Sequence, residues 1–244
     1  MYSLIFPNWP VPARVRAVTT TRRGGISPPP YDSLNLGHHT GDDPAYVAAN
    51  RRRLSRALAL PAEPAWLNQV HGDTAVAAEQ VNAATQADAA YTRRPDQVCV
   101  VTTADCLPVL LCDRAGGCVA AAHAGWRGLA SGVLGATVAA MDCAPAQVLA
   151  WLGPAIGAEV FEVGEEVHAA FLELDSGNAG CFKPSPQGRW LADIYHLARR
   201  QLQPLGVKDI YGENRCTLTE AAEFFSYRRD GRTGRMASLI WLTG

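Results

Sequence analysis

Three residues have the side chains needed for metal or nucleophile chemistry and stand where a turn could expose them: His71, Cys106 and His123. They occur in Gln69-Val-His-Gly-Asp73, Thr103-Ala-Asp-Cys-Leu-Pro108 and Ala121-Ala-His-Ala-Gly-Trp-Arg127. Each adjoins an apolar, strand-like run and a polar or glycine-containing loop, the kind of place where functional side chains collect. Two imidazoles and one thiolate can hold a zinc ion and leave a fourth position open, the arrangement of catalytic zinc sites. The same three groups could instead make a cysteine nucleophile with a histidine base. The ligands lie 35 and 17 residues apart, with no C-x-x-C and no H-x-x-x-H. Spacing therefore does not choose between these readings, and the fold must assemble the site.

Other polar residues are candidates for handling a substrate. Asp105 precedes Cys106 and is a candidate for moving protons. Arg22 opens a glycine- and proline-rich loop, and Arg127 lies four residues after His123 beside Trp126. Tyr227, Arg228 and Arg229 stand together in Phe224-Phe-Ser-Tyr-Arg-Arg-Asp-Gly231. Arginine offers a planar fork for oxyanions, and an aromatic ring offers a stacking face. Arg229 reads as a surface ion pair and Arg127 as functional. Of the remaining histidines, His168 and His196 fall in helical stretches and read as structural. His38 and His39 sit in a loop that fits either role.

The elements around these residues follow from apolar periodicity and punctuation. Residues 15–21 predict a strand. The loop Arg22-Arg-Gly-Gly-Ile-Ser-Pro-Pro-Pro-Tyr31 has a path set by its glycines and prolines. Asp43–Leu58 predicts a helix with Asp43 as N-cap and Pro44 at the first helical position. Strands are predicted at 98–102 and 109–112, an antiparallel pair around Cys106, and at 118–122, leading to His123. Helical spacing runs from Gly128 to Met141, then a strand at 148–152 ends in a glycine-proline turn. Amphipathic helices are predicted at 165–174 and 191–202, and strands at 207–211 and 237–242. This irregular alternation predicts an α+β chain with a mixed sheet covered by helices. No G-x-G-x-x-G follows a strand and no Walker A pattern occurs, so a nucleotide cofactor held by those devices is not expected.

With 244 residues, no repeat and no linker-like tract, residues 1–244 are expected to form a single domain with a large core. The net charge of -1 gives no support to nucleic-acid or anionic-membrane binding, and Arg51-Arg52-Arg53 reads as a solvated helix face. The start, Met1-Tyr-Ser-Leu-Ile-Phe-Pro, does not read as a signal peptide, and no apolar run approaches a membrane span. Seven cysteines, an odd count, in a chain of this size point to free thiols in a reducing cytoplasm. Cys99, Cys112 and Cys118 lie in apolar runs and read as small buried hydrophobes. Nothing in the sequence sets the oligomeric state, and a monomer is the working expectation.

The motifs around the candidate residues resemble those of the YfiH family, labelled both as laccase-like multicopper polyphenol oxidases and as peptidoglycan editing factors. The resemblance rests on Asn68-Gln-Val-His71-Gly, Thr103-Ala-Asp-Cys106-Leu-Pro, His123-Ala-Gly-Trp-Arg127-Gly and Phe225-Ser-Tyr-Arg-Arg-Asp-Gly-x-x-Gly-Arg235. Tyr31-Asp-Ser-Leu-Asn35-Leu-Gly, Leu152-Gly-Pro-Ala-Ile-Gly157 and Phe161-Glu-Val-Gly164 extend it over nearly the whole chain. It implies a three-layer α/β/α fold with mixed sheets, similar to the catalytic domain of cytotoxic necrotising factor. It implies zinc on His71, Cys106 and His123. It also implies phosphorolysis of adenosine, inosine, guanosine and methylthioadenosine, and deamination of adenosine, so that nucleoside and phosphate are the expected partners. The substrate residues expected on this basis are Arg22, Asn35, Gln69, Arg127, Tyr227 and Arg228, with Asp105 joining the three ligands in catalysis.

The laccase label can be weighed by ligand count. Two histidines and a cysteine suit a blue-copper centre, but a trinuclear copper cluster would need about eight further histidines, mostly in His-x-His pairs. The chain has six histidines and no His-x-His. A conventional laccase is excluded, although copper at the three-ligand site could still give weak oxidase chemistry. Two further alternatives stay open: a cysteine hydrolase acting on a peptidoglycan precursor, and a metal-binding module without turnover.

Overall fold

Apolar runs without clean alternation imply strands covered on both faces, and a computed structural model shows how. It describes residues 2–186, 188–212 and 215–244. In chain order, β1 (Leu4–Ile5) and β2 (Val15–Thr20) lead to helix α1 (Pro44–Leu58). Strands β3 (Ala75–Ala77), β4 (Ala89–Thr92), β5 (Val98–Thr103), β6 (Leu107–Asp113) and β7 (Val119–Ala124) follow. Next come α2 (Trp126–Ser131), α3 (Val133–Ala140), β8 (Val148–Leu152), β9 (Glu162–Val163) and α4 (Glu165–Leu174). The chain then forms β10 (Phe182–Ser185), β11 (Arg189–Ala192), α5 (Ile194–Leu202), β12 (Asp209–Tyr211), α6 (Tyr227–Asp230) and β13 (Met236–Leu242).

Among the described residues, β1-β2-β13-β5 form an antiparallel sheet and β12-β8-β6-β7-β4-β3 a larger mixed one. In the larger sheet the outer pairs, β12 with β8 and β3 with β4, are parallel and the inner pairs antiparallel. The two sheets stack. Cys99, Val101 and Ile240 of one meet Leu110, Ala121 and Trp151 of the other in a shared apolar layer. Period-2 alternation sends the neighbouring residues outward. Val98, Val100 and Leu239 pack under Leu54 of α1 and under Leu34 and Leu36. Val109, Ala122 and Ala150 pack under Leu129, Leu134, Phe171 and Leu197 of α2 to α5. The class is α+β, with one mixed sheet stacked on an antiparallel one, so the β layer between the helices is double.

Local chemistry explains where elements start and stop. Asp43 caps α1 by accepting the Ala45 N–H at 2.8 Å, with Pro44 next to it. The helix expected from 128 to 141 is broken into α2 and α3 because Gly132 takes φ +94°, a left-handed geometry that glycine adopts without strain. The helix expected from residue 191 begins only at Ile194. Arg189–Ala192 instead pair with β9 and β10, and the Asp193 side chain caps the new helix through the His196 N–H. The strands flanking Cys106 are not a hairpin: β5 pairs with β13, whereas β6 pairs with β7 and β8. Cys106 therefore lies where the chain crosses from one sheet to the other. All seven cysteines are free thiols, and no helix among the described residues is long and apolar enough to cross a membrane.

Candidate metal centre and its pocket

Separate pieces of backbone deliver His71, Cys106 and His123 to one point. His123 is part of β7 and pairs with Pro108 of β6, while Cys106 immediately precedes β6. His71 comes from the loop leading to β3 and adopts φ +61°, and Asp105 beside Cys106 adopts φ +87°. Two non-glycine residues in left-handed geometry at one site indicate backbone held by its surroundings rather than by preference. The ligand atoms of the three side chains all lie within 4.8 Å of one another, with Cys106 Sγ 4.0 Å from His71 Nε2. The imidazoles meet edge to face at 75° with centroids 4.8 Å apart.

Asp88, a residue not singled out in the sequence, organises this cluster. It is fully buried just before β4. Its Oδ1 lies 2.7 Å from His123 Nδ1, and its two oxygens accept the backbone N–H groups of Val70, His71 and Gly72 at 3.1, 3.0 and 2.7 Å. One carboxylate thus fixes the orientation of one imidazole and the loop that carries the other. The signal in the sequence was a lone aspartate among alanines at the start of a strand, Ala87-Asp88-Ala-Ala90.

This donor set fits a small thiophilic cation. Tetrahedral zinc with ordinary bond lengths holds sulfur and nitrogen donors about 3.5 Å apart, a modest contraction of the observed cluster. The Asp88 bond engages Nδ1 of His123 and leaves Nε2 facing the other two ligands, the outer-shell pattern of metal-bound histidines. Gly125 leaves the space the cluster needs, since a Cβ there would lie 2.9 Å from Cys106 Sγ and 3.3 Å from His71 Cδ2. Electrostatics favour the thiolate a cation would need, while His123 would have to give up a proton to bind one. Burial opposes ionisation of Cys106, but the His123 and His71 imidazoles outweigh it and hold the thiol down at about 6. Burial likewise opposes charging of His123, yet the Cys106 sulfur and Asp88 push it up to about 9. The shifts belong to one coupled pair, thiolate beside imidazolium.

The cluster opens into a cavity of about 1040 Å³, with Trp66, Tyr227 and Arg235 on its walls. The sequence candidates distribute unevenly around it. Tyr227 lines the cavity and is exposed. Gln69 also lines it, but its amide is clamped to Thr102, accepting the Thr102 N–H at 2.7 Å and donating to the Thr102 carbonyl at 2.9 Å. The others do not line it. Arg22 bonds to the carbonyls of Asp32 and Ala221 and lies over the Phe225 ring. Asn35 is buried and holds Thr40, Asp42 and the Arg235 N–H. Arg127 lies over Trp126, and Arg228 reaches the Glu162 carbonyl beside Phe161. Asp105 is nine-tenths buried, and its carboxylate accepts from Thr217 at 2.6 Å, Ser226 at 3.0 Å and the Arg228 N–H at 2.6 Å. Those bonds tie the Cys106 loop to helix α6, which carries Tyr227.

Comparison with known proteins gives a consistent picture. Residues 16–243 match the family described as "Multi-copper polyphenol oxidoreductase laccase". The chain is 55% identical over 243 residues to the Escherichia coli (strain K12) protein named "Purine nucleoside phosphorylase YfiH", covering 99% of this chain and 100% of that one. It is 52% identical to the Pseudomonas aeruginosa protein named "Purine nucleoside phosphorylase PA4543", covering 99% of each. Among solved structures, Neisseria meningitidis protein NMB0706 superposes with a TM-score of 0.95 at 51% identity over 99% of both chains. YlmD from Geobacillus stearothermophilus gives 0.88 at 34% identity, covering 95% of this chain and 93% of that one.

Proposed function

The chain belongs to the multi-copper polyphenol oxidoreductase laccase family and, within it, to the YfiH proteins, and from that premise we propose that it is a metal-dependent purine nucleoside phosphorylase. The observation that carries this reading is the Asp88–His123 bond beside Cys106 and His71: a histidine oriented by a buried carboxylate, two more donors within reach, and a cavity at the open side. We assign zinc to the three ligands, with nucleoside and phosphate as substrates and adenosine, inosine, guanosine and methylthioadenosine as the nucleoside set.

Zinc would be held by His71, Cys106 and His123 and would supply Lewis-acid polarisation of a substrate oxygen. The chain's own residues do the rest. In phosphorolysis a phosphate oxygen forms a bond to C1′ while the bond from C1′ to the purine nitrogen breaks and its electron pair leaves with the base. Such a displacement depends on holding two reactants in line, and the cavity wall performs that positioning. The exposed ring of Tyr227 offers a flat face to a purine or ribose. Asp105 fixes the helix that carries it. The same pocket is assigned adenosine deamination, in which water adds at C6 and ammonia leaves. There Asp105 serves to position Tyr227, since all its close partners are structural donors.

The test is a phosphate-dependent inosine assay on protein whose metal content has been measured. Zinc near one per chain with release of hypoxanthine supports the reading. A folded Cys106→Ala variant that keeps full activity would sink it.

A second reading has its own observation. Asp88, His123 and Cys106 also stand in the order of an orienting acid, a base and an activated thiol. A cysteine hydrolase acting on a peptidoglycan precursor would use them so, and its activity would survive chelation and leave a covalent adduct on Cys106. His71 weighs against it, because a thiol nucleophile has no use for a second imidazole closing on its sulfur. Copper in place of zinc would give a weak polyphenol oxidase, since copper binds nitrogen and sulfur sites more tightly than zinc does.

A further inference from the structure

Phosphorolysis needs a cationic group for phosphate, and none of the arginines marked by sequence reaches the cavity. Among the described residues, the guanidinium groups that line it are Arg51 and Arg235. Arg51 is already committed: its Nε and Nη2 both donate to the Leu36 carbonyl, at 3.0 and 2.8 Å, and its plane covers Trp66 at 3.7 Å. Arg235 is held differently. Its Nη1 donates to the carbonyls of Thr233 and Gly234, both at 3.0 Å, while no partner is found for Nε or Nη2 among the described residues. No carboxylate there pairs with it, because Asp105 is turned to Thr217 and Ser226.

The backbone of Arg235 is fixed just as firmly. Its N–H donates to the buried Asn35 side chain at 3.0 Å, and its carbonyl accepts the Leu36 N–H at 3.1 Å. A Cβ on Gly37 would lie 2.6 Å from Arg235 Cγ, so that glycine makes room for the side chain. Arg235 borders the same cavity as the three ligand residues, and its guanidinium lies 5.7 Å from the Tyr227 ring. An anchored, half-buried guanidinium with one edge unpartnered among the described residues, on the wall of the cavity that holds the His71–Cys106–His123 cluster, suits bidentate capture of a tetrahedral oxyanion.

We propose that Arg235 is the phosphate-binding residue, holding inorganic phosphate between its free Nε–Nη2 edge and the His71–Cys106–His123 centre. The proposal rests on the phosphorylase reading and names the residue that reading leaves unassigned. It also gives Asn35 and Gly37 a task, which is to fix the arginine.

The experiment is titration of metal-loaded protein with inorganic phosphate by calorimetry, paired with initial rates at varied phosphate and at varied inosine. Arg235→Gln is expected to weaken phosphate binding and raise the phosphate KM by about ten- to a hundred-fold, the loss typical of a charge-assisted pair. Its inosine KM and metal content should stay as in the wild type. Arg235→Lys keeps the charge but loses the fork and should fall between, and it decides the matter if the glutamine variant does not fold. The proposal is overturned if wild-type protein does not bind phosphate, if the folded variants bind it as tightly as wild type, or if the inosine KM rises in place of the phosphate KM. Wild-type protein that binds phosphate through Arg235 yet releases no base from any purine nucleoside would overturn the phosphorylase reading alone.

Discussion

Asp88 Oδ1 lies 2.7 Å from His123 Nδ1, and the same carboxylate accepts three consecutive backbone N–H groups of the loop that holds His71. The relationship makes one buried acid responsible for two of three ligands. Asp88→Asn keeps the shape but weakens the acceptor and puts N–H groups where the loop already donates. Outer-shell changes of this kind cost about ten- to a hundred-fold in metal affinity. Competition with a chromogenic chelator measures it, and unchanged zinc affinity would show that the cluster does not depend on Asp88.

A second prediction removes no ligand at all. Gly125→Ala places a methyl group 2.9 Å from Cys106 Sγ and 3.3 Å from His71 Cδ2, closer than packed carbon and sulfur sit. The backbone there has φ -65°, so an alanine meets no conformational penalty and the effect is purely one of space. The protein should fold with near wild-type melting temperature and bind less than one metal per chain. Full stoichiometry by elemental analysis counts against the crowded centre described above.

The meeting of His71, Cys106 and His123 and most of the fold were legible in the sequence, the former through motifs rather than spacing, and what was not legible has physical causes. Periodicity and caps located α1, β8 and α4 because Asp43, the run Val148–Leu152 and the amphipathic Glu165–Leu174 carry local signals. The break at Gly132 was missed because a single glycine inside a helical pattern does not by itself announce a stop, and the strand at Arg189–Ala192 because it is decided by a pairing partner distant in sequence. The separation of β5 from β6 was hidden for the same reason: two apolar runs flanking a short loop look like a hairpin until each finds a different sheet. Arginine motifs told least. Arg22, Arg127 and Arg228 spend their donors or their faces on structure, whereas Arg235, unremarkable at the end of a Gly-x-x-Gly-Arg tract, faces the cavity.

Acid sensitivity should appear away from the metal. Burial raises the Glu220 carboxyl, but its bonds to the Arg215 side chain at 2.6 Å and to the Cys216 N–H at 2.8 Å outweigh that and hold it below its ordinary value of 4.5. A carboxyl depressed by folding stabilises the protein above its unfolded pKa, and that contribution is lost as pH falls through the folded one. The group is partly exposed, so the effect is about 0.5 kcal/mol. Glu220→Gln should lower the melting temperature slightly at pH 7 and leave it unchanged at the acid end of that window. A difference that grows on acidification would have the wrong sign.

The remaining prediction separates two roles for Asp105. If its carboxylate moved protons in the reaction, Asp105→Asn would lower kcat by about 10²- to 10⁴-fold with little change in KM. Both oxygens are instead occupied by Thr217, Ser226 and the Arg228 N–H, and the residue sits at φ +87°, a geometry that asparagine tolerates well. The variant should therefore fold and bind its metal. With one acceptor oxygen replaced by a donor, α6 loses part of its anchor and Tyr227 its fixed position. The expected result is a raised nucleoside KM, a smaller fall in kcat and a pH profile of unchanged shape. A large loss of kcat at constant KM, or the disappearance of one limb of that profile, would return Asp105 to the chemistry and require its side chain to turn into the cavity during turnover.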